Sequence, residues 1–81
     1  MLGVSMTAGQ IRAARALIGM TQAELAEASG VSLPTIKRIE TGADAKVSTV
    51  EALRSALATA GVEFLPENGG GVGVRLKKGS S

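Results

Sequence analysis

Apolar residues recur every three to four positions through most of residues 7–61, the spacing of amphipathic helices. The apolar stripe of the first segment is Ile11, Ala14, Leu17 and Ile18. The stripe of the last segment is Val50, Leu53, Leu57 and Ala60. Two shorter segments, 21–29 and 32–41, lie between them. The pattern therefore predicts four helices with short connections, which form a compact bundle.

Capping signals mark where these helices begin and end. Three pairs have the spacing of a capping box: Thr7 with Gln10, Thr21 with Glu24, and Ser48 with Glu51. Ser32 can cap the third helix. Pro34 would lie in its first turn, where a backbone N–H has no partner within the helix, so the missing N–H of proline costs nothing there. Glycines follow the helices, at positions 19, 30, 42 and 61.

The periodicity changes after Gly61. Residues 62–65 are short and β-forming, residues 66–71 are rich in turn formers, and residues 72–76 alternate with a period of two. This pattern predicts a β-hairpin. The alternative is a disordered glycine-rich tail, which we favour less because it would leave valine, phenylalanine and leucine in water.

The composition restricts the chemistry of the chain. Its 81 residues suffice for one domain, and Phe64 is the only aromatic residue, so the core must be aliphatic. There is no cysteine and no histidine, which excludes disulfides and thiolate metal sites and removes the commonest general base. We therefore predict neither an enzyme nor a bound cofactor.

Charge and hydropathy indicate the class of partner and the cellular location of the chain. The net charge is +2 and the isoelectric point about 9.5, which is compatible with nucleic acid but modest. No run of 18 uncharged apolar residues exists, so no membrane span is expected. The first ten residues carry no lysine or arginine, which argues against a signal peptide. The expectation is a cytoplasmic protein.

Residues 21–42 have the layout of a DNA-binding helix-turn-helix. Two short helices are joined by a tight turn at Gly30. In the second helix, Ile36 and Ile39 form an apolar stripe opposite polar and basic residues. Such a helix can be seated on a bundle while its other face enters the major groove.

This segment resembles the Cro/Xre family of phage and bacterial repressors. The matching residues are Gln22, Ala26, Gly30, Ile36, Ile39 and the pair Glu40-x-Gly42. The resemblance covers about residues 7–61 and implies a mainly α fold, a repressor-like four-helix bundle, with the hairpin added at its C-terminal end. Arg15 lies where the family often carries an arginine that pairs with the acid that is here Glu40.

The resemblance also implies DNA contacts, with the third helix in the major groove. Its candidate outward residues are Ser32, Leu33, Thr35, Lys37 and Arg38. Arg38 is the strongest, because arginine binds guanine O6 and N7 bidentately. Gln22 matches the family's phosphate-contacting glutamine, and Thr41 and Lys46 are suited to the DNA backbone.

Simpler interpretations of these residues stay open. Ser32 can serve only as a cap, Leu33 only as a packing residue, and Lys37 only as a solvated charge. Several family members also carry two polar base-contacting residues where this chain has Leu33 and Pro34. Specificity would then depend on Arg38, on thymine methyl groups and on DNA shape, and the alternative is that specificity is low.

The predicted function is transcriptional regulation by a bacterial or phage repressor that binds a palindromic operator as a homodimer. Two alternatives are an antitoxin that binds both DNA and a toxin, and an adaptor that keeps the fold without DNA binding. A lone hairpin is marginal in water, so we expect its apolar residues to help form the dimer: Val62, Phe64, Val72, Val74 and Leu76. In the alternative, the hairpin folds back on its own bundle, and the fourth helix makes the dimer.

The predicted organisation has four parts. Residues 1–6 form a flexible tail, residues 7–61 the helix-turn-helix domain, residues 62–78 the hairpin, and residues 79–81 a frayed end.

Overall fold

The computed structural model describes residues 6–78; the predicted frayed end and most of the predicted N-terminal tail lie outside them. The elements in chain order are α1 (Ala8–Ile18), α2 (Gln22–Ser29), α3 (Leu33–Glu40), α4 (Val47–Thr59), β1 (Val62–Leu65) and β2 (Gly73–Leu76). The predicted fold, a mainly α four-helix bundle followed by a β-hairpin, is confirmed. Met6, the last residue of the predicted tail, packs half-buried against the core.

The first three helices begin at the residues that their capping signals predict. Thr7 and Thr21 each accept a hydrogen bond from the backbone N–H three residues on, at 3.0 Å, and both capping boxes are complete. Ser32 caps α3 through the N–H of Thr35. Gly19 and Gly30 end α1 and α2 with φ of 70° and 76°, a conformation that costs glycine little.

The predicted start of the fourth helix is wrong. Helix α4 begins at Val47, one residue before Ser48, and its N-cap residue, Lys46, makes no side-chain capping bond. Ser48 lies inside the first turn, so its backbone is already helical and cannot take the extended N-cap conformation. Glu51 forms an ion pair with Arg54 at 3.0 Å, which occupies the carboxylate that the capping box required.

The core is aliphatic, as the composition predicts, and every helix contributes to it. Its buried hydrophobic residues are Ile11, Ala14, Leu25, Ile36, Ile39, Leu53, Leu57 and Val62. Phe64 packs against this cluster from the hairpin but is only half-buried. The bundle is therefore held mainly by aliphatic packing between helices.

The hairpin folds back on its own bundle. Strands β1 and β2 pair antiparallel, with Val62 opposite Leu76 and Phe64 opposite Val74. Both strands pack on α1, and β1 also packs on α4. The side chain of Val62 is fully buried in the core, so it is not accessible to a second copy of the chain, and its predicted part in a dimer interface is wrong for that reason.

Gln10 joins the hairpin to α1. Its side-chain oxygen accepts the N–H of Thr7 at 3.0 Å, completing the capping box. Its amide nitrogen donates to the carbonyls of Leu65, at 3.3 Å, and Gly73, at 2.9 Å. The residue is only 4% exposed, so these three contacts satisfy a buried amide.

Candidate nucleic-acid interface

Helices α2 and α3 form the helix-turn-helix unit, and aliphatic packing fixes their crossing. Leu25 of α2 and Ile36 of α3 are fully buried, and Ile39 lies one turn further along the same stripe. The small side chain of Ala26 packs partly buried against this cluster. The opposite face of α3 is therefore held towards solvent by the core.

The predicted DNA-contacting residues lie on α3 and on the segments beside it, and they differ in exposure. Those with exposed side chains are Ser32, Lys37, Arg38, Thr41 and Lys46. Those that are half-buried are Gln22, Leu33 and Thr35. The structure thus presents two basic residues of α3, and Lys46 beyond it, to solvent.

Two of the hydroxyl groups already have partners within the chain. Ser32 Oγ donates to Thr35 Oγ1 at 2.8 Å, in addition to capping α3. Thr41 Oγ1 donates to the carbonyl of Arg38 at 2.7 Å. A hydroxyl that donates inward still has lone pairs but no proton for an acceptor on DNA, so the cations remain the stronger candidates for phosphate.

The end of α3 and the start of α4 enclose a shallow cleft on this surface. Thr35 and Arg38 line one side, and the loop residues Asp44, Ala45 and Lys46, with Thr49 of α4, line the other. The start of α4 carries the positive end of the helix dipole and has no side-chain cap. Sequence analysis did not single out Asp44 or Thr49; the available signal was their position in the loop and the helix that follow α3.

A buried charge network fixes the C-terminal end of α3. The carboxylate of Glu40 is bound bidentately by Arg15, through Nε at 2.7 Å and a second guanidinium nitrogen at 2.8 Å. Gln22 donates to the same carboxylate at 3.0 Å, and Arg12 donates to the backbone carbonyl of Glu40. Residue 40 is only 4% exposed, and bidentate geometry is what such a buried carboxylate needs.

The network also decides the ionisation of its members. Burial by itself would raise the pKa of Glu40, but hydrogen bonds from Arg15 and Gln22 and the charges of Arg15 and Arg12 outweigh it and lower that pKa below its ordinary value. The hydrogen bond to Glu40 raises the pKa of Arg15. The pair therefore stays charged throughout the neutral range.

Two residues of this network bear on the predictions from the sequence. Gln22, expected to contact phosphate, has its amide nitrogen on Glu40, so the network sets the orientation of the first residue of α2. Arg12 was missed by sequence analysis. It lies three residues before Arg15 on α1, a spacing that places both on one helix face and could have indicated it.

The fold and the outward basic helix define a DNA-binding helix-turn-helix protein. A family model described as helix-turn-helix matches residues 11–64, well over half of the chain. The chain therefore belongs to the Cro/Xre-type helix-turn-helix family, whose domains bind DNA and which is not an enzyme family. No curated protein gave a significant match to the chain. Within residues 6–78, no helix has both the length and the apolarity to cross a membrane.

Proposed function

We propose that this chain is a cytoplasmic bacterial or phage repressor that binds a palindromic operator as a homodimer. The observation that carries the proposal is α3, whose Ile36 is fully buried while Lys37 and Arg38 are exposed on the surface beside it. A helix held by one face and basic on the other is suited to the major groove. Repression is a simpler proposal than activation, because a repressor needs only a DNA-binding surface that occupies the operator.

Arg38 is the residue proposed to set base specificity. It is exposed in the last turn of α3, and guanine O6 and N7 accept a bidentate arginine. Leu33, at the start of α3, is half-exposed and suited to a thymine methyl group. Ser32 and Thr35 lie beside it, and their oxygens can accept from a base amino group.

The phosphate contacts are proposed to come from both ends of the helix-turn-helix unit. Gln22 begins α2, while Lys46 is the N-cap residue of α4 and Thr41 follows α3. Backbone N–H groups at a helix start favour an anion, and Lys46 adds a positive charge there. Such contacts orient the protein on DNA without distinguishing sequences.

The test begins with selection of bound sequences from a random DNA pool, followed by titrations of the selected operator over a range of salt. Arg38→Ala should cost roughly 1–3 kcal/mol and relax the preference at one base pair. Lys46→Ala should weaken binding evenly across sequences and reduce the salt slope by about 1. Lys78→Ala is the matched control, since it removes an exposed lysine that follows β2 and lies outside the helix-turn-helix unit.

The outcomes separate the candidate functions. Unchanged operator affinity in Arg38→Ala would contradict the assignment of α3 as the recognition helix. An absence of binding even at low salt would support the adaptor alternative, for which the apolar start of α3 at Leu33 and Pro34 is the favourable observation. A toxin partner remains a prediction from the sequence.

A further inference from the structure

The acidic side chains of the chain differ in whether they have a partner. Of the seven, five bind an arginine or a backbone N–H within residues 6–78: Glu24, Glu40, Glu51, Glu63 and Glu67. The other two, Glu27 and Asp44, are exposed and form no side-chain hydrogen bond or ion pair with any residue in that range. The fold therefore does not depend on a contact of either carboxylate with the rest of the described chain.

Asp44 lies in the cleft between α3 and α4, among groups of the opposite charge. Arg38 lines one side of this cleft, and Asp44 and Lys46 line the other. Lys46 is also the N-cap residue of α4, whose helix dipole favours an anion at that end. Asp44 is therefore a carboxylate in a cleft whose other charged groups attract phosphate.

We propose that Asp44 is a specificity-determining residue, which weakens the binding of non-operator DNA by repelling phosphate from this cleft. Its carboxylate carries the same charge as a phosphate oxygen that Arg38 or Lys46 would otherwise hold there. A repulsive group that acts against the wrong ligand raises specificity without any new contact to the right one. The inference rests on the proposed function, because it requires α3 to face DNA.

The repulsion acts unequally on the two kinds of DNA because Arg38 meets different groups on each. On the operator, the guanidinium of Arg38 is proposed to bind a guanine in the major groove. On DNA without that guanine, the acceptors left for it are phosphate oxygens, which supply essentially all of the affinity for non-specific DNA. A phosphate held by Arg38 at the cleft would lie beside Asp44. The carboxylate therefore opposes the non-specific complex more than the operator complex.

The charge of the cleft shows how large a share Asp44 has in it. Arg38 and Lys46 contribute two positive charges and Asp44 one negative charge, so the lining residues sum to +1. Removing the carboxylate would double that charge. Groups that line one cleft interact over distances comparable with the Debye length, which is about 10 Å at 0.1 M salt and about 3 Å at 1 M. The effect of Asp44 should therefore persist at moderate salt and fade as salt is raised.

Asp44→Asn tests the inference, because it removes the charge and keeps the shape of the side chain. Dissociation constants are measured by fluorescence anisotropy for the selected operator and for a duplex of scrambled sequence, each over a range of salt. At low salt, the variant should bind the scrambled duplex about three- to fivefold more tightly than the native chain, as expected for removing one nearby charge in water. Its affinity for the operator should rise by a smaller factor, so the ratio of the two affinities should fall.

Two further variants show whether the effect comes from the cleft. Glu27→Gln is the matched control, since Glu27 is the other exposed acid without a partner in residues 6–78 but does not line the cleft. It changes the net charge by the same amount and should leave the ratio of affinities unchanged. The double variant Arg38→Ala, Asp44→Asn should gain less on the scrambled duplex than Asp44→Asn alone, because no arginine is left to hold the phosphate. Circular dichroism should show all variants folded.

Three results would overturn the inference. One is an unchanged ratio of affinities in Asp44→Asn, and another is an equal fall in that ratio in Glu27→Gln. The third is weaker operator binding by Asp44→Asn with relaxed preference at one base pair, which would make Asp44 an acceptor for a cytosine amino group instead. If the native chain binds the operator in any of these cases, the proposed function stands while the inference fails. If the native chain binds no DNA at low salt, the proposed function fails first.

Discussion

The helix-turn-helix bundle and the hairpin each contain an arginine–glutamate pair, and the two pairs differ in their surroundings. In the bundle, Arg15 holds Glu40 at 2.7 Å with side chains only 19% and 3% exposed. In the hairpin, Arg75 holds Glu63 at 3.0 Å with side chains 61% and 43% exposed. The two pairs should therefore differ in their effect on stability, because water screens the hairpin pair and is largely excluded from the bundle pair.

The apolar contacts differ between the two regions in the same way. All but one of the buried hydrophobic residues lie in the four helices, and the hairpin contributes only Val62. Its other apolar side chains are half-buried or exposed. The bundle should therefore carry most of the folding free energy, while the hairpin depends on a few attachments such as Gln10.

The largest expected effect contrasts one leucine from each region. Leu25→Ala removes a fully buried side chain at the α2–α3 crossing and should lower the free energy of unfolding by about 2–5 kcal/mol. Leu76→Ala removes a half-exposed one and should stay within about 0.5 kcal/mol in dilute protein. Urea midpoints of both variants check this, and equal losses would contradict the proposed division of stability.

The next effect concerns Glu40. Glu40→Gln keeps the shape but removes the charge that Arg15 faces, and should cost about 2–3 kcal/mol. This is less than the roughly 3–5 kcal/mol of a fully buried pair, because Arg15 retains some contact with water. Urea denaturation at pH 7 measures the loss of unfolding free energy. A loss below about 1 kcal/mol would contradict the prediction, because it would equal the contribution of an exposed ion pair.

The pKa of Glu40 gives that comparison a pH dependence. Its pKa is lowered from an ordinary value of 4.5, so its contribution to stability is fully present above that pH and is lost as the pH falls through the folded-state pKa. Glu40→Gln should therefore flatten the fall in stability on the acid side. An unchanged acid limb in the variant would show that other carboxylates cause the fall.

A smaller and more local effect is expected at Gln10. Gln10→Glu preserves the acceptor for Thr7 but sets a carboxylate against the carbonyls of Leu65 and Gly73, which should cost about 1–3 kcal/mol. Amide exchange should accelerate in β1 and β2 and change little in α2 and α3. Uniform acceleration would mean that the hairpin and the bundle unfold as one unit.

The smallest effect is expected at Glu63. Hydrogen bonding to Arg75 lowers the pKa of its carboxylate, yet the group is exposed, so Glu63→Gln should leave the urea midpoint of dilute protein within experimental error. The measurement is repeated at high salt, which should erase any residual difference. A clear destabilisation would show that the hairpin depends on this pair more than its exposure indicates.

The sequence by itself determined the helices, their order and the turn between α2 and α3. Thr7, Thr21 and Ser32 begin their helices as predicted because a cap depends on residues only three positions away. Gly30 ends α2 for an equally local reason, the positive φ that the turn requires. The family resemblance predicted that Arg15 and Glu40 pair, and the structure shows their ion pair.

Only the tertiary structure decided where the hairpin packs and what holds it. Gln10 reaches Leu65 and Gly73 across sequence separations of 55 and 63 residues, and no local pattern encodes such contacts. The start of α4 was mispredicted because Ser48 and Glu51 matched a local motif while the chain had become helical one residue earlier. Contacts between distant residues depend on how the helices pack around the shared core, and that arrangement exists only once the chain has folded.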